Sequence, residues 1–234
     1  MRIREDWKVE WFRLCAREKE RVSEILAQEQ TICVGRVKSI DLEEYAVSIL
    51  PKLRFHEDCE VEWLILEASE EEHVSEILAQ NQKIYVGRVK SIGLEEYAVS
   101  ILPKLEIHED CRIEWLRLVA NRKEYVEPIL AQSKPIYVGA VKNASLGGYA
   151  VSILPRLRIH GDNIMEEFIL SAAEEQIPDI LEEGDSNIEL GRIRLGGFHV
   201  PEEVRRKLRY TLVDGEGKEV LEGERKRRRS TRSN

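Results

Sequence analysis

The sequence predicts an all-β, mostly antiparallel fold of four tandem units of about 52 residues, with short helical turns between the strands. The units are read either as one array or as two pseudo-symmetric halves. Three observations predict it. Gly35, Gly87, Gly139 and Gly191 recur at a fixed spacing of 52 residues, the mark of one supersecondary unit used several times. Segments within each unit alternate apolar and polar residues with period two, the signature of half-buried strands. The runs between those segments read as too short for crossover helices, which favours antiparallel pairing.

Taken in order, each unit opens on a tryptophan-bearing strand. In "EVEWLIL", Val61, Trp63 and Ile65 are placed on one face, so Trp11, Trp63 and Trp115 are expected in the core. Next, "EEEHVSEILAQN" sets Val74, Ile77 and Leu78 at helical spacing behind glutamates suited to a helix start. The strand "IYVGRV" follows, with Gly87 marking a bulge or a close backbone approach. "YAVSIL" reads as a further strand, with Tyr97, Val99 and Ile101 on one face and Pro103 at its end. The unit boundaries are 8–59, 60–111, 112–163 and 164–224, and residues 225–234 form a disordered basic tail. The fourth unit keeps the glycine and the apolar pattern but has no tryptophan.

The apolar fraction of 42% is ordinary for a chain with a sizeable core. The start, "MRIREDWKVEW", lacks the apolar run of a secretory signal, and no stretch reaches the length of a membrane span. Cys15, Cys33, Cys59 and Cys111 follow no metal or redox spacing, so the expectation is reduced thiols in a cytoplasmic or nuclear protein. Net charge is −8, and removing the six positive charges of "RKRRRSTRSN" leaves a body of −14. Such a body disfavours nucleic acid as a partner except through the tail, because phosphate contacts need positive charge. Arg225, Lys226, Arg227, Arg228 and Arg229 are the candidate localisation signal, with a merely solvated end as the alternative.

The order of these pieces resembles the DM-nine repeat family, lectin-like proteins related to natterins. The matching stretches are "YVEPILA" from Tyr125, "IYVGRV" from Ile84, "EVEWL" from Glu60, and "IPDIL", "LGRI", "HVPEEV" and "DGEGKEVL" in the fourth unit. The resemblance implies a β-rich fold of paired repeats, no catalysis and no cofactor. It also implies recognition of mannose-type glycans in intracellular or innate-immune settings. It points to an acid after an Ala-x-x-Gly step and a lysine in a Pro-Gly-Lys step as the sugar-binding pair. Asp185 occupies the first place, whereas Glu203 stands at the second in the fourth unit and Ala46, Ala98 and Ala150 in the others.

The candidate ligand-binding residues are therefore Asp185, Arg192 and Glu203, with Arg36 and Arg88 as repeat equivalents. An arginine beside a strand glycine can fork onto a carboxylate or sugar hydroxyls; the plainer reading is a strand arginine paired with a neighbouring glutamate. His56, His108 and His160 recur once per unit, and separate surface loops are expected rather than a converged metal site. No nucleophile repeats beside them, so no catalytic set is expected. The functional expectation is a lectin-like recognition module. The alternative is an intracellular protein–protein scaffold, with a homodimer as a further partner reading.

Overall fold

The computed structural model describes residues 8–55, 60–108, 111–132, 134–160, 163–176 and 188–220. Its strands are β1 Lys8–Ala16, β2 Ile32–Cys33, β3 Arg36–Glu44, β4 Leu53–Arg54, β5 Glu60–Ala68, β6 Ile84–Tyr85, β7 Arg88–Glu96 and β8 Leu105–Glu106. They continue as β9 Arg112–Ala120, β10 Ile136–Gly148, β11 Leu157–Ile159, β12 Ile164–Met165, β13 Glu167–Ser171, β14 Ile188–Arg194, β15 Phe198–His199 and β16 Leu208–Val213. The helices are α1 Glu20–Ala27, α2 Glu72–Ala79, α3 Glu127–Leu130 and α4 Glu202–Arg205.

The main sheet runs β1-β3-β5-β7-β9-β10-β13-β15, with β11 joined to β10. Every ladder between these strands is parallel, as in β1–β3, β3–β5 and β5–β7. This overturns the antiparallel all-β expectation: the layout is α/β-like, with strands of one parallel sheet alternating with helices. Parallel neighbours need a crossover of about a dozen residues or more. Segments 17–35 and 45–59 meet that need, the first carrying α1 and the second the 3₁₀ helix Tyr45–Lys52. Each sequence unit is thus two coils of a solenoid, one closed by an α-helix and one by a 3₁₀ helix.

One pattern writes the coils from β1 to β13. After an inward apolar residue come two outward residues, then inward, outward, inward. Val61, Leu64 and Leu66 are buried, whereas Glu62 and Glu67 are exposed and Trp63 and Ile65 half-buried. Val37, Ile40 and Leu42 repeat the inward set, as do Val89, Ile92 and Leu94. Two consecutive outward residues shift the phase, so Trp63 lies on the face opposite Val61. The expectation that the tryptophans are core fails for this reason; Trp11 is 60% exposed.

The 3₁₀ helices Tyr45–Lys52, Tyr97–Lys104 and Tyr149–Arg156 stand where "YAVSIL" was read as a strand. In each, the run from the alanine to the second leucine-type residue is buried, for example Ala98, Val99, Ser100, Ile101 and Leu102. They contact the strands on one side and the α-helices on the other, so the molecule is layered as sheet, 3₁₀ row and outer helices. Helices on alternate coils are two strand spacings apart, about 9.6 Å, which falls within the 8–10 Å at which helices pack. Alternating the two connections therefore lets α-helices stack over a sheet too fine-pitched to carry one on every strand. Lys19 Nζ and Glu76 Oε1, 3.1 Å apart, tie α1's start to α2.

Val74 and Ile77 form the buried side of α2 with His73, in keeping with the helical spacing of that segment. The cation after each proline closes the helix end. Lys52 Nζ donates to the Gln28 carbonyl at 2.7 Å, Lys104 does the same to Gln80, and Arg156 Nη2 reaches Leu130 at 3.3 Å. A cation beside the last carbonyls of a helix satisfies orphan acceptors and opposes the helix dipole. The four repeat glycines have φ of 64, 69, 71 and 76°. They turn the chain from the short flanking strand into the main sheet, and at Gly87 inward facing passes from Ile84 and Val86 to Val89.

Candidate functional site

The helices cover one face of the main sheet. On the other, register places side chains in rows that cross the strands. The first row sits between the paired residues Val9/Val37 and Trp11/Ser39 and reads Glu10, Lys38, Glu62, Lys90, Glu114, Lys142, Glu166. Lys38 Nζ is 2.9 Å from Glu10 Oε2, and Lys90 Nζ is 3.0 Å from Glu60 Oε2. Each of these hydrogen bonds raises the lysine's pKa.

The second row is Trp11, Ser39, Trp63, Ser91, Trp115, Asn143, Glu167, each in register with the next. Tryptophans alternate with serines in the first five places. Ser39 and Ser91 are only 4% and 3% exposed although they lie on the outward face, because each small side chain is flanked by two indoles. The result is a row of tryptophans with the serines covered between them. Beyond Ser91 lies Gly93, whose added Cβ would meet Ile65 Cγ1 at an ordinary 3.9 Å. The glycine is itself buried, and no left-handed backbone conformation requires it there.

The remaining rows are Arg13, Asp41, Ile65, Gly93, Arg117, Ser145, Ile169, and then Cys15, Glu43, Glu67, Glu95, Val119, Gly147, Ser171. Three glutamates therefore stand side by side on neighbouring strands. Arg13 neutralises one end, with Nε 2.9 Å from Glu43 Oε1 and 3.3 Å from Asp41 Oδ2. Arg117 neutralises the other, 2.7 Å from Glu95. Glu67 stands between them, and its carboxyl is pushed above its ordinary pKa by desolvation and then by Glu95 and Glu43. Asp41 is raised mainly by burial, while the hydrogen bond from Arg13 lowers Glu43.

Like charges directly opposite across strands are destabilising. Glu67→Gln is accordingly expected to raise the thermal midpoint at pH 7. The sign with pH follows from the raised carboxyl: its folded form holds the proton more tightly than the unfolded form. Its contribution is fully favourable below the unfolded pKa and is lost as pH rises through the folded one. The advantage of Glu67→Gln should therefore shrink as pH falls below the ordinary value of 4.5. Thermal melts of both proteins at pH 7 and pH 4 check this, and a pH-independent difference would refute it.

A half-buried polar cluster closes the end of the sheet. Glu44 and Glu96 adopt φ of 58 and 57°, a region that L residues avoid, and Gly148 takes the equivalent place. The Glu44 carboxylate accepts from Ser69 Oγ at 2.7 Å and lies 2.8 Å from His73 Nδ1. The Glu96 carboxylate accepts from the Asn121 side chain and backbone. Tyr45 meets His73 edge-on at 4.3 Å, and Tyr97 meets Tyr125 at 4.5 Å. These side chains tie a strand end to the next coil.

The residues proposed from sequence are scattered. Arg36 and Arg88 are exposed at the starts of β3 and β7, in register with Lys8 and Glu60. Arg192 pairs with Ile164 in the three-stranded sheet β12-β14-β16, and its guanidinium donates to the Gly217 carbonyl. Glu203 is exposed on α4. Asp185 and the basic run at 225–229 lie outside the described residues, as does His56. His108 and His160 sit a coil pair apart, their backbone N–H groups donating to Gly87 and Gly139.

Two clefts lie away from the sheet face. One of about 510 Å³ is lined by Glu202, Arg205, Tyr210 and Glu219, with Arg205 5.3 Å above the Phe198 ring. The other, about 380 Å³, is lined by Lys83, His108, Cys111 and Tyr137. Among the described residues, no group of three or more His, Cys, Asp or Glu is arranged to hold a metal, and no helix is long and apolar enough to cross a membrane.

The row that sequence reading placed in the core is the outward tryptophans. Their signal was the spacing itself: two polar-side positions following each first apolar residue, as in "VEWL" and "VKSI". Compared with protein families, curated proteins and solved structures, the chain matches none.

Proposed function

We propose that this protein is a non-catalytic recognition module that binds a protein partner on the outward face of its parallel sheet. The observation that carries the reading is the row of three tryptophans separated by serines on that face. Parallel sheets are ordinarily covered on both faces; here, among the described residues, helices cover one. Tryptophan is enriched where binding energy concentrates, because its large rigid ring loses little conformational entropy on contact. Solenoids use an extended face of this kind to engage partners. The ion-pair rows beside the tryptophans supply the polar rim that accompanies such a centre.

A glycan is the second reading, since indole faces also stack on sugar rings. The repeat arginines do not favour it, since Arg36 and Arg88 lie at the strand starts and Arg192 is engaged with Gly217. The test is a variant carrying Trp11→Ser, Trp63→Ser and Trp115→Ser, matched to wild type by circular dichroism. Cross-linking with quantitative mass spectrometry should recover a partner from wild type at least tenfold above the variant, and a mannose-type glycan array should retain neither protein. Equal recovery by both proteins removes the sheet face as the site; tryptophan-dependent retention on the array replaces protein with glycan.

A further inference from the structure

We infer that two copies of this chain join through the open edge of β1, pairing antiparallel about a twofold axis at Leu14 to make one continuous sheet. The first coil is the cut end of the array. Its inward positions carry the residue types that later coils bury, yet water reaches them. Val9, Phe12 and Leu14 are half-buried, whereas their register partners Val37, Ile40 and Leu42 are 1%, 0% and 0% exposed. Ile25 of α1 is half-buried, against 1% exposure for Ile77 and Ile129 at the same place in the next two units. Ile32 of β2 is half-buried too, against 7% and 6% for Ile84 and Ile136. Sheet rung, helix and flanking strand therefore open together on a cross-section of the core. Solenoids need a terminal coil with a polar outer side, and these five positions are apolar. The opposite end is built differently. β15, the last strand of the main sheet, has only two residues, and Arg205 of α4 lies 5.3 Å above its Phe198 ring. β1 has nine residues, with no proline and no charge among its inward side chains. Natural edges are blunted by such devices or by brevity. Among the described residues, nothing pairs with the outer side of β1. A head-to-tail contact would seat this nine-residue edge on a two-residue one. The twofold arrangement, in which the edge meets its own copy, has no such mismatch.

Side-chain direction and charge select the register. From Trp11 the strand alternates strictly, with Trp11, Arg13 and Cys15 outward and Phe12, Leu14 and Ala16 inward. Residues opposite each other across an antiparallel pair share one side of the sheet, so an axis between two residues would set inward against outward. An axis at Phe12 fails at the Glu10–Trp11 step, where Val9 would face Cys15 and Glu10 would face Leu14. An axis at Arg13 sets two guanidiniums opposite each other, and one at Cys15 sets Arg13 against Arg17; like charges so placed are destabilising. At Leu14 the two leucines meet, Phe12 faces Ala16 and Arg13 faces Cys15, each matched in direction. The Arg13 charge stays with Glu43 and Asp41 of its own chain. An antiparallel pair at the edge of an otherwise parallel sheet is a common arrangement. The axis runs perpendicular to the sheet, so both helix layers lie on one side and both tryptophan rows on the other. A contact one strand wide is small, which places its dissociation constant at roughly 1–100 μM. Below that range the chain is single and Leu14 keeps its half-exposed state.

The test is sedimentation velocity of the full chain at concentrations below and well above that range, paired with hydrogen exchange at both extremes. The mass should rise from 27.1 kDa to twice that value and stop there. Leu14→Lys puts an inward charge on the edge, the device that blunts natural edges, and should raise the dissociation constant by about tenfold or more. Trp63→Ser, on the outward face, should leave it unchanged. Circular dichroism confirms that each variant folds. In the unmodified chain, amides of β1 should exchange more slowly at high concentration than at low, with β5 and β7 the same at both. This comparison needs no variant, so it decides the matter even where Leu14→Lys fails to fold. A single chain at every concentration overturns the inference. A doubled mass without slower exchange at β1, or one lost with Trp63→Ser and kept with Leu14→Lys, puts the contact elsewhere and overturns it. Growth beyond two copies makes the contact head-to-tail and overturns it as well. Slow exchange at β1 in a chain that stays single makes the chain's own residues the cover and overturns the twofold pairing.

Discussion

Leu64→Ala is expected to lower the unfolding free energy by about 2–5 kcal/mol, the range for removing a buried leucine that neighbours cannot replace. Leu64 is fully buried and is held in register between Ile40 and Ile92, themselves fully buried. Each coil of a solenoid is stabilised by its two neighbours, so a void at this rung weakens two interfaces at once. The contrast is Leu14, an inward leucine of the first strand that stands in the rung of Leu42 and Leu66 and is only half-buried. Leu14→Ala should cost well under half as much, because water already reaches that rung. Equilibrium urea unfolding of both variants measures the difference. Equal losses would mean that the sheet interior is not organised by these inward rungs.

Gly197→Ala is expected to cost about 2–6 kcal/mol and to act on the last coil. A Cβ on Gly197 would lie 1.7 Å from the Glu166 carbonyl oxygen and 2.8 Å from its carbon, both backbone atoms with no rotamer to yield. Moving apart breaks the 2.7 Å bond that Phe168 N–H donates to the Gly197 carbonyl. Overpacking and an unpaired backbone group each contribute about 1–3 kcal/mol. The position follows from the repeat. The strand offset is 28 residues from Ile164 to Arg192 but 30 from Phe168 to Phe198, so extra chain is folded in between β14 and β15. Hydrogen exchange should show faster exchange at β13 and β15 with β5 and β7 unchanged. Uniform acceleration across the sheet would contradict this locality.

The unit length and the glycine at each turn into the sheet were legible, because a left-handed backbone position leaves glycine in the sequence. The helix at Val74 and Ile77 was legible from its spacing. Strand direction was not. Val61, Trp63 and Ile65 look like one face of a strand only if the strand alternates strictly, and Glu62 and Trp63 both point outward. That single phase shift placed the tryptophans inward and hid the outward aromatic row. "YAVSIL" failed for another reason. Its side chains are buried on nearly every side, and a short run of that kind has no periodicity to separate strand from 3₁₀ helix. The two coils within each unit differ in sequence, "VEWL" against "VKSI", so the strand spacing lay hidden beneath the longer repeat. Arg192 illustrates the limit of sequence equivalence. It matches Arg36 by position, yet its strand belongs to a separate sheet once the offset changes.

The unbroken offsets of the first three units bear on how such a gene can change. Ser39 faces Trp63, and Ser91 faces Trp115, through the same bonds. Unequal recombination that removed residues 60–111 would bring Ser39 against Trp115 with no new junction to solve, and a duplication would add one more aromatic step at the same pitch. The surface is in this sense a ruler whose number of graduations can drift between descendants while the interval between them stays fixed.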